Sequence, residues 1–275
     1  MLIVTGTKRS GTSMWMQILT AAGFPAFGEA FPRNWGETLK DANPDGFYES
    51  ILRQGIYWRT NPHPRTGAYF FPEQVERHVV KVFIPGLVRT DRAYIGSVVA
   101  TVRHWREYHA SLERLYAMED EARAAKGKTD RPVRIPPVYE WWSENFSLIR
   151  DLVTRRHRVH VQSYDGLLAN PKQVIEDTLA WLGDEDVDVA AAVAAVKPKN
   201  RTQSRDDDAA PPMDLSPKVV EAFDLLYRTV DERSGLDAGL ITRLNEAHVE
   251  LAPKIVAAQQ AVAKARAAKR GKPAP

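Results

Sequence analysis

The chain opens on a short apolar run, Leu2-Ile3-Val4, that leads into a small-residue loop and then a stretch of helical composition. Near-continuous apolar runs recur at Val79-Val80-Lys81-Val82-Phe83-Ile84, at Ser97-Val98-Val99-Ala100-Thr101-Val102 and at Arg158-Val159-His160-Val161-Gln162. Runs of this kind, rich in β-branched residues, predict buried parallel strands. Between them the pattern lengthens to a helical period. Helices are predicted from Met14 to Gly23, over 104–125, over 138–154 and from Asn170-Pro171 to Gly183. In 138–154 the buried stripe is Trp141, Trp142, Phe146 and Ile149. Asn170 is the cap, with Pro171 at the first helical position. Shorter helices are expected at 51–58 and 187–196, and Pro85-Gly86 ends the second strand. Residues 24–45 read as loop with aromatic anchors, closing on the turn Asn43-Pro44-Asp45-Gly46. Pro62, Pro64 and Pro72 make 59–72 a long loop of the kind that carries substrate contacts. Alternating strands and helices predict an α/β fold on a parallel sheet.

After residue 205 the strands stop. Asp206–Asp208 and Pro211-Pro212 mark a linker, helices follow at 216–233 and 237–251, and an Ala-rich helical segment lies beyond Pro253. The expected division is an α/β domain over 1–205, a helical extension over 206–262 that packs on the core or mediates a homodimer, and a basic, disordered tail over 263–275. The net charge is +3, yet Lys264, Arg266, Lys269, Arg270 and Lys272 place +5 in that tail, leaving the body at −2. A near-neutral body argues against nucleic acid as a partner. Cysteine is absent, which removes disulfides, thiol nucleophiles and thiolate metal sites. No apolar run of about 18 residues occurs and no signal peptide precedes Leu2, so the expectation is a cytoplasmic protein without a membrane span.

The chemistry concentrates in the first loop. Gly6 and Gly11 frame Thr7-Lys8-Arg9-Ser10, and Thr12-Ser13 open the helix. Strand, small-residue loop, helix is the architecture of an anion cradle, in which backbone N–H groups and the helix dipole point at a phosphate. The glycine spacing fits the nucleotide-triphosphate loop, but Thr12 stands where that motif needs a Lys. Lys8 and Arg9 lie inside the loop instead. The plain alternative is a Gly-Thr-Ser turn, which leaves those two cations unexplained.

Taken with Arg103, Ser111 and Tyr164, the chain resembles the sulfotransferases that use 3′-phosphoadenosine 5′-phosphosulfate (PAPS). Arg9-Ser10-Gly11-Thr12-Ser13 looks like that family's 5′-phosphosulfate loop. Val102-Arg103 at a strand end, with Ser111 eight positions on, resembles its 3′-phosphate signature, and Tyr164-Asp165 after the fourth strand is a weaker match. The resemblance implies a P-loop-like three-layer fold, a central parallel sheet flanked by helices, with the C-terminal helical extension outside it. It also implies PAPS as donor and no metal. Lys8, Arg9, Ser10, Gly11, Thr12 and Ser13 would hold the 5′ end, and Arg103 and Ser111 the 3′-phosphate. Lys197, Lys199 or Arg201 would add a late basic contact, although the family's Arg-Lys-Gly signature is missing. Trp15 and Tyr164 are the candidates for packing the adenine. Arg103 has a simpler reading as a strand-end cation paired with Glu107, and Tyr164 as a core tyrosine.

The base departs from the pattern. Cytosolic members carry Lys-Thr-His on the strand after the loop, whereas this chain has Lys81-Val82-Phe83, keeping the Lys and losing the His. Other members use a Glu shortly after the first helix, and Glu29 lies at that kind of distance from Gly11. An apolar surround makes a carboxylate a stronger base, and Phe27 and Phe31 flank it. A solvated loop acid is the competing reading. Glu49 and His63 are the reserves, while His104 and His109 read as structural. The catalytic set is therefore Glu29, Arg9 and Lys81, acting on a small-molecule or carbohydrate-like acceptor. Two other readings stand beside it: an ATP-dependent phosphotransferase, and a catalytically silent nucleotide-binding protein of the same fold.

Overall fold

The structure is a computed structural model that describes residues 1–31, 45–128, 130–198, 201 and 211–269. Five strands, β1 (Leu2–Gly6), β2 (Ala26–Phe27), β3 (Val79–Lys81), β4 (Ser97–Val102) and β5 (Val159–Ser163), form one sheet in the order β2-β3-β1-β4-β5. Every pairing is parallel, with Leu2 opposite both Val79 and Ser97 and Val98 opposite Val159. The central strands are buried on both faces, as their unbroken apolar runs require. Leu2 and Val4 pack with Trp15, Leu19, Ile175 and Leu179, from α1 (Thr12–Ala21) and α6 (Pro171–Leu182). Ile3 points the other way, to Leu87 of α2 (Ile84–Leu87) and to Leu148 and Leu152 of α4 (Pro137–Arg155). Helices therefore cover both faces of the sheet.

A third apolar cluster joins α3 (Trp105–Ala124) and α4 to the two last helices, α8 (Pro217–Asp231) and α9 (Ala238–Lys269). The rings of Trp142 and Phe223 stack at 4.7 Å, and those of Phe146 and His248 at 4.1 Å. The stripe expected on 138–154 is thus the seam that holds the C-terminal helices to the α/β body. None of the described helices is long and apolar enough to cross a membrane.

Several elements differ from the sequence reading. The helix expected to pause at Pro253 is one helix through Lys269. A proline inside a helix costs about 3 kcal/mol, but Leu240, Leu244, Ala247, Leu251, Ile255 and Val262 keep one buried face across the break. Residues 263–269, expected as disordered tail, belong to this helix. The second strand ends at Lys81, three residues before the expected Ile84. The helix expected at 51–58 is a single 3₁₀ turn, Ile51–Gln54, stopped by Gly55 at φ 106°. There a Cβ would stand 2.4 Å from the Gly86 carbonyl oxygen. β2 lay hidden in an aromatic loop, too short for any period to register, and so did α5 (Tyr164–Ala169), which Ser163 caps by accepting from the Gly166 N–H. The short helix expected at 187–196 is α7 (Val189–Ala194). The turn at Asn43-Pro44, Lys199, the Asp206–Asp208 linker and 270–275 lie outside the described residues.

Candidate functional site

Three chain segments leave the sheet side by side at its C-terminal edge: the loop after β1, Arg103 after β4, and Tyr164 after β5. The chain builds β2 and β3 on one flank of β1, then crosses to β4 and β5 on the other, so the loop sits where the strand order reverses. In open α/β sheets that crevice is the usual ligand position. The loop backbone is tightly turned. Arg9 has φ 65° and Gly11 φ 100°, and a Cβ on Gly11 would meet the Tyr164 ring at 2.8 Å. Ser10 Oγ donates to the Thr7 carbonyl at 2.7 Å, and Thr101 Oγ1 donates to the Ser10 carbonyl at 2.9 Å. The Ser10 hydroxyl therefore braces the loop from within.

Arg103 is the hub. Its guanidinium donates to the Arg9 carbonyl oxygen at 2.9 Å, to Ser111 Oγ at 3.2 Å and to Glu107 Oε1 at 2.6 Å. Arg9 Nε also donates to Ser111 Oγ, at 3.3 Å. Helix α3 makes this possible, because Glu107 and Ser111 lie four and eight positions after Arg103, on one helix face. Arg103 thus pairs with Glu107, as its simpler reading expected, and also reaches Ser111. Glu107 is completely buried and also receives Arg201, from Nε at 2.9 Å and Nη2 at 3.0 Å. Arg201 in turn contacts Asp165 at 2.8 Å, and Asp165 accepts from Tyr227 of α8 at 2.5 Å. Burial works against the charge of Arg201, but Glu107 and Asp165 hold its pKa above the ordinary arginine value. Burial, and then Arg103, lower that of Arg9 to about 10, so it remains a cation at neutral pH. Three guanidinium groups thus gather around Ser111 and the Tyr164 ring, which lies 4.7 Å from Arg103 and 6.0 Å from Arg201.

On the opposite flank Lys81 ends β3, nearly fully buried. Its Nζ donates to Ser13 Oγ at 3.1 Å, the Phe47 carbonyl at 2.9 Å and Glu49 Oε1 at 3.0 Å. Burial lowers the Lys81 pKa while Glu49 opposes the shift. The other Glu49 oxygen accepts from Arg53 at 2.6 Å, so each oxygen of this carboxylate meets a cation. Phe83 lies against Lys81, its ring centroid 5.4 Å from Nζ. Glu29 bridges Glu49 through the backbone but is exposed, so the apolar enclosure expected from Phe27 and Phe31 is missing. His63 caps its own turn, Nδ1 accepting from the Arg65 and Thr66 N–H groups. Trp15 is fully buried under α1 in the core and cannot pack an adenine. Tyr164 is also largely covered, its ring supporting Gly11 and Arg103.

Lys8 points away from these groups, to Glu140 of α4 at 3.6 Å. Glu140 also accepts from Tyr108 Oη at 3.2 Å. One turn further along α4, Glu144 keeps a buried oxygen with no hydrogen-bond partner. Burial, and then the neighbouring Glu140 charge, push its pKa up to about 8. The two carboxylates stand four positions apart on α4, a spacing open to the sequence, but their burial against Tyr108 of α3 comes only from packing. Glu107 was visible as an i, i+4 partner of Arg103, but its second cation, Arg201, comes from far along the chain. Lys197 pairs with Asp45 and lies away from Glu107's partners. No protein-family model, no curated protein and no solved structure matches the chain.

Proposed function

We propose that the chain is a sulfotransferase that moves a sulfuryl group from PAPS to a hydroxyl or amine of a small-molecule or carbohydrate-like acceptor. The observation that carries this reading is the convergence of Arg9 and Arg103 on Ser111 beside a glycine-framed loop. Guanidinium groups gathered beside a strand–loop–helix turn are suited to a ligand bearing phosphates at two ends. The loop and Arg9 would hold the 5′ end, with Thr12 and Ser13 as further donors, and Arg103, Ser111 and Arg201 the 3′-phosphate. In the transfer the acceptor oxygen bonds to sulfur as sulfur's bond to the bridging oxygen breaks. The electron pair stays on the 5′-phosphate, and the acceptor proton passes to a carboxylate. Arg9 and Lys81 are assigned to the charge that grows on the departing oxygen. Glu29 is assigned the proton because Glu49 is held by two cations; Glu140, beside Lys8, is the second candidate. Against an ATP-dependent phosphotransferase stands Thr12 in place of the loop lysine.

The test is calorimetric titration with adenosine 3′,5′-bisphosphate, with ATP and magnesium as comparator. Binding of the bisphosphate, weakened at least about tenfold in Ser111→Ala by loss of a hydroxyl to charged partners, is the expected outcome. Preference for ATP would overturn the reading. With binding in hand, Glu29→Gln separates catalysis from a silent binder: turnover should fall while bisphosphate affinity stays.

A further inference from the structure

Beside the loop lies a cleft of about 670 Å³, walled by α3, Lys126, Lys128, the segment 132–135, the start of α4 and the last turns of α9. Its charged lining is lopsided, with seven cations against the two carboxylates Glu119 and Glu140. Four of the cations are neutralised locally. Lys8 faces Glu140, Arg134 holds Glu119 and Asp120, and Asp130 joins Arg123 to Lys269. The other three, Lys126, Lys128 and Arg266, make no ion pair among the described residues. All three are exposed to solvent. The helix α9 contributes through one face, since Val262, Ala265, Arg266 and Lys269 follow the i, i+3, i+4, i+7 rule. This is the stretch whose basic residues looked in the sequence like a solvated tail. The cleft reaches the loop at Lys8, whose neighbour Arg9 belongs to the guanidinium cluster.

From this geometry we infer that the cleft is the acceptor site and that it takes an anionic acceptor, one bearing carboxylate or sulfate groups. The inference rests on reading the loop as the donor site. A concave wall with unpaired cations focuses positive potential and raises the local concentration of anions. An acceptor anchored by Lys126, Lys128 and Arg266 would have its reacting end delivered toward Lys8 and Glu140, at the edge of the loop, so that in this geometry Glu140, the second candidate, takes the proton in place of Glu29 on the opposite flank. Tyr116 and Ile135 give the cleft apolar floor between the charges, enough for a ring to rest on while its anionic groups meet the basic rim.

The full chain would be titrated with tetragalacturonate and with a chondroitin sulfate tetrasaccharide, with maltotetraose as the neutral comparator. Adenosine 3′,5′-bisphosphate is titrated in parallel. The expected result is binding of at least one anionic oligosaccharide but not of maltotetraose, weakening as salt is raised. The triple variant Lys126→Ala, Lys128→Ala, Arg266→Ala should lose about tenfold in that affinity and keep its affinity for the bisphosphate. All three positions are exposed, so the variant should fold, and an unchanged melting temperature checks this. Equal binding of maltotetraose, failure of both anions, or an indifferent triple variant overturns the inference. If the bisphosphate binds while the anions fail, the donor reading survives alone. If the anions bind in the cleft while the bisphosphate fails, the donor reading falls, and with it the assignment as acceptor site. Tighter binding of a single-stranded oligonucleotide than of either oligosaccharide also overturns it.

Discussion

Glu107→Gln tests how the site is held together. Glu107 is wholly buried and is the counter-charge to two arginines, with contacts of 2.6, 2.9 and 3.0 Å. The amide is nearly isosteric, so packing is unchanged, but it carries no charge and turns a donor toward the guanidinium groups. Removing one partner of a buried pair costs about 3–5 kcal/mol. The Arg201 part is discounted, because its side chain is 31% exposed and Asp165 remains as a second carboxylate. The Arg103 part is not, because both side chains are buried. We therefore expect a loss of about 3 kcal/mol, which for a chain of this size lowers Tm by roughly 5–10 °C. The assay is thermal unfolding followed by circular dichroism, with and without adenosine 3′,5′-bisphosphate. If Arg103 and Arg201 form an anion site, an added anion replaces the missing charge, and the stabilisation by bisphosphate should be larger in the variant than in the wild type. A variant that melts within about 1 °C of the wild type would refute the reasoning, because the pair would then contribute nothing net. A normal loss of stability with no extra rescue would leave Glu107 a structural anchor and remove the anion-site argument.

Two further predictions follow from the same region. Gly11→Ala combines a left-handed φ of 100° with a Cβ 2.8 Å from the Tyr164 ring, so it should cost about 1–3 kcal/mol and abolish bisphosphate binding in calorimetry; unchanged binding would show that the loop can rebuild elsewhere. Glu144, held protonated in the folded chain up to about pH 8, titrates near 4.5 when unfolded. Its burial therefore costs stability progressively as pH rises from about 4.5 to 8, and Glu144→Gln should stabilise by roughly 4–5 kcal/mol at pH 8.5 and by almost nothing at pH 4.5. Melting curves of both proteins across that range check the sign, and an offset independent of pH would contradict it.

The sequence alone determined the parts that depend on local pattern. Buried parallel strands announce themselves as unbroken β-branched runs, and α3, α4 and α6 as helical stripes, because burial imposes the period directly. The loop was legible for the same reason: Gly6 and Gly11 sit where the backbone needs them, and Arg103 and Ser111 share a helix face through their spacing. Tertiary structure decided what spacing cannot encode. Arg201 reaches Glu107 across 94 positions, and no local signal links them. Glu29 was the candidate base and Glu49 a reserve until the fold exposed the first and locked the second between Lys81 and Arg53. Trp15 carried an aromatic ring that suited a base, and only packing revealed that the core had already taken it. The basic residues after 262 read as a tail because of their charge and the Gly and Pro beyond them; the apolar face that carries one helix through Pro253 continues to Val262 and sets Arg266 and Lys269 in the wall of a cleft. Local propensity involves less than about 1 kcal/mol for an ordinary residue and about 3 kcal/mol for a proline, and burial of a whole helix face outweighs it.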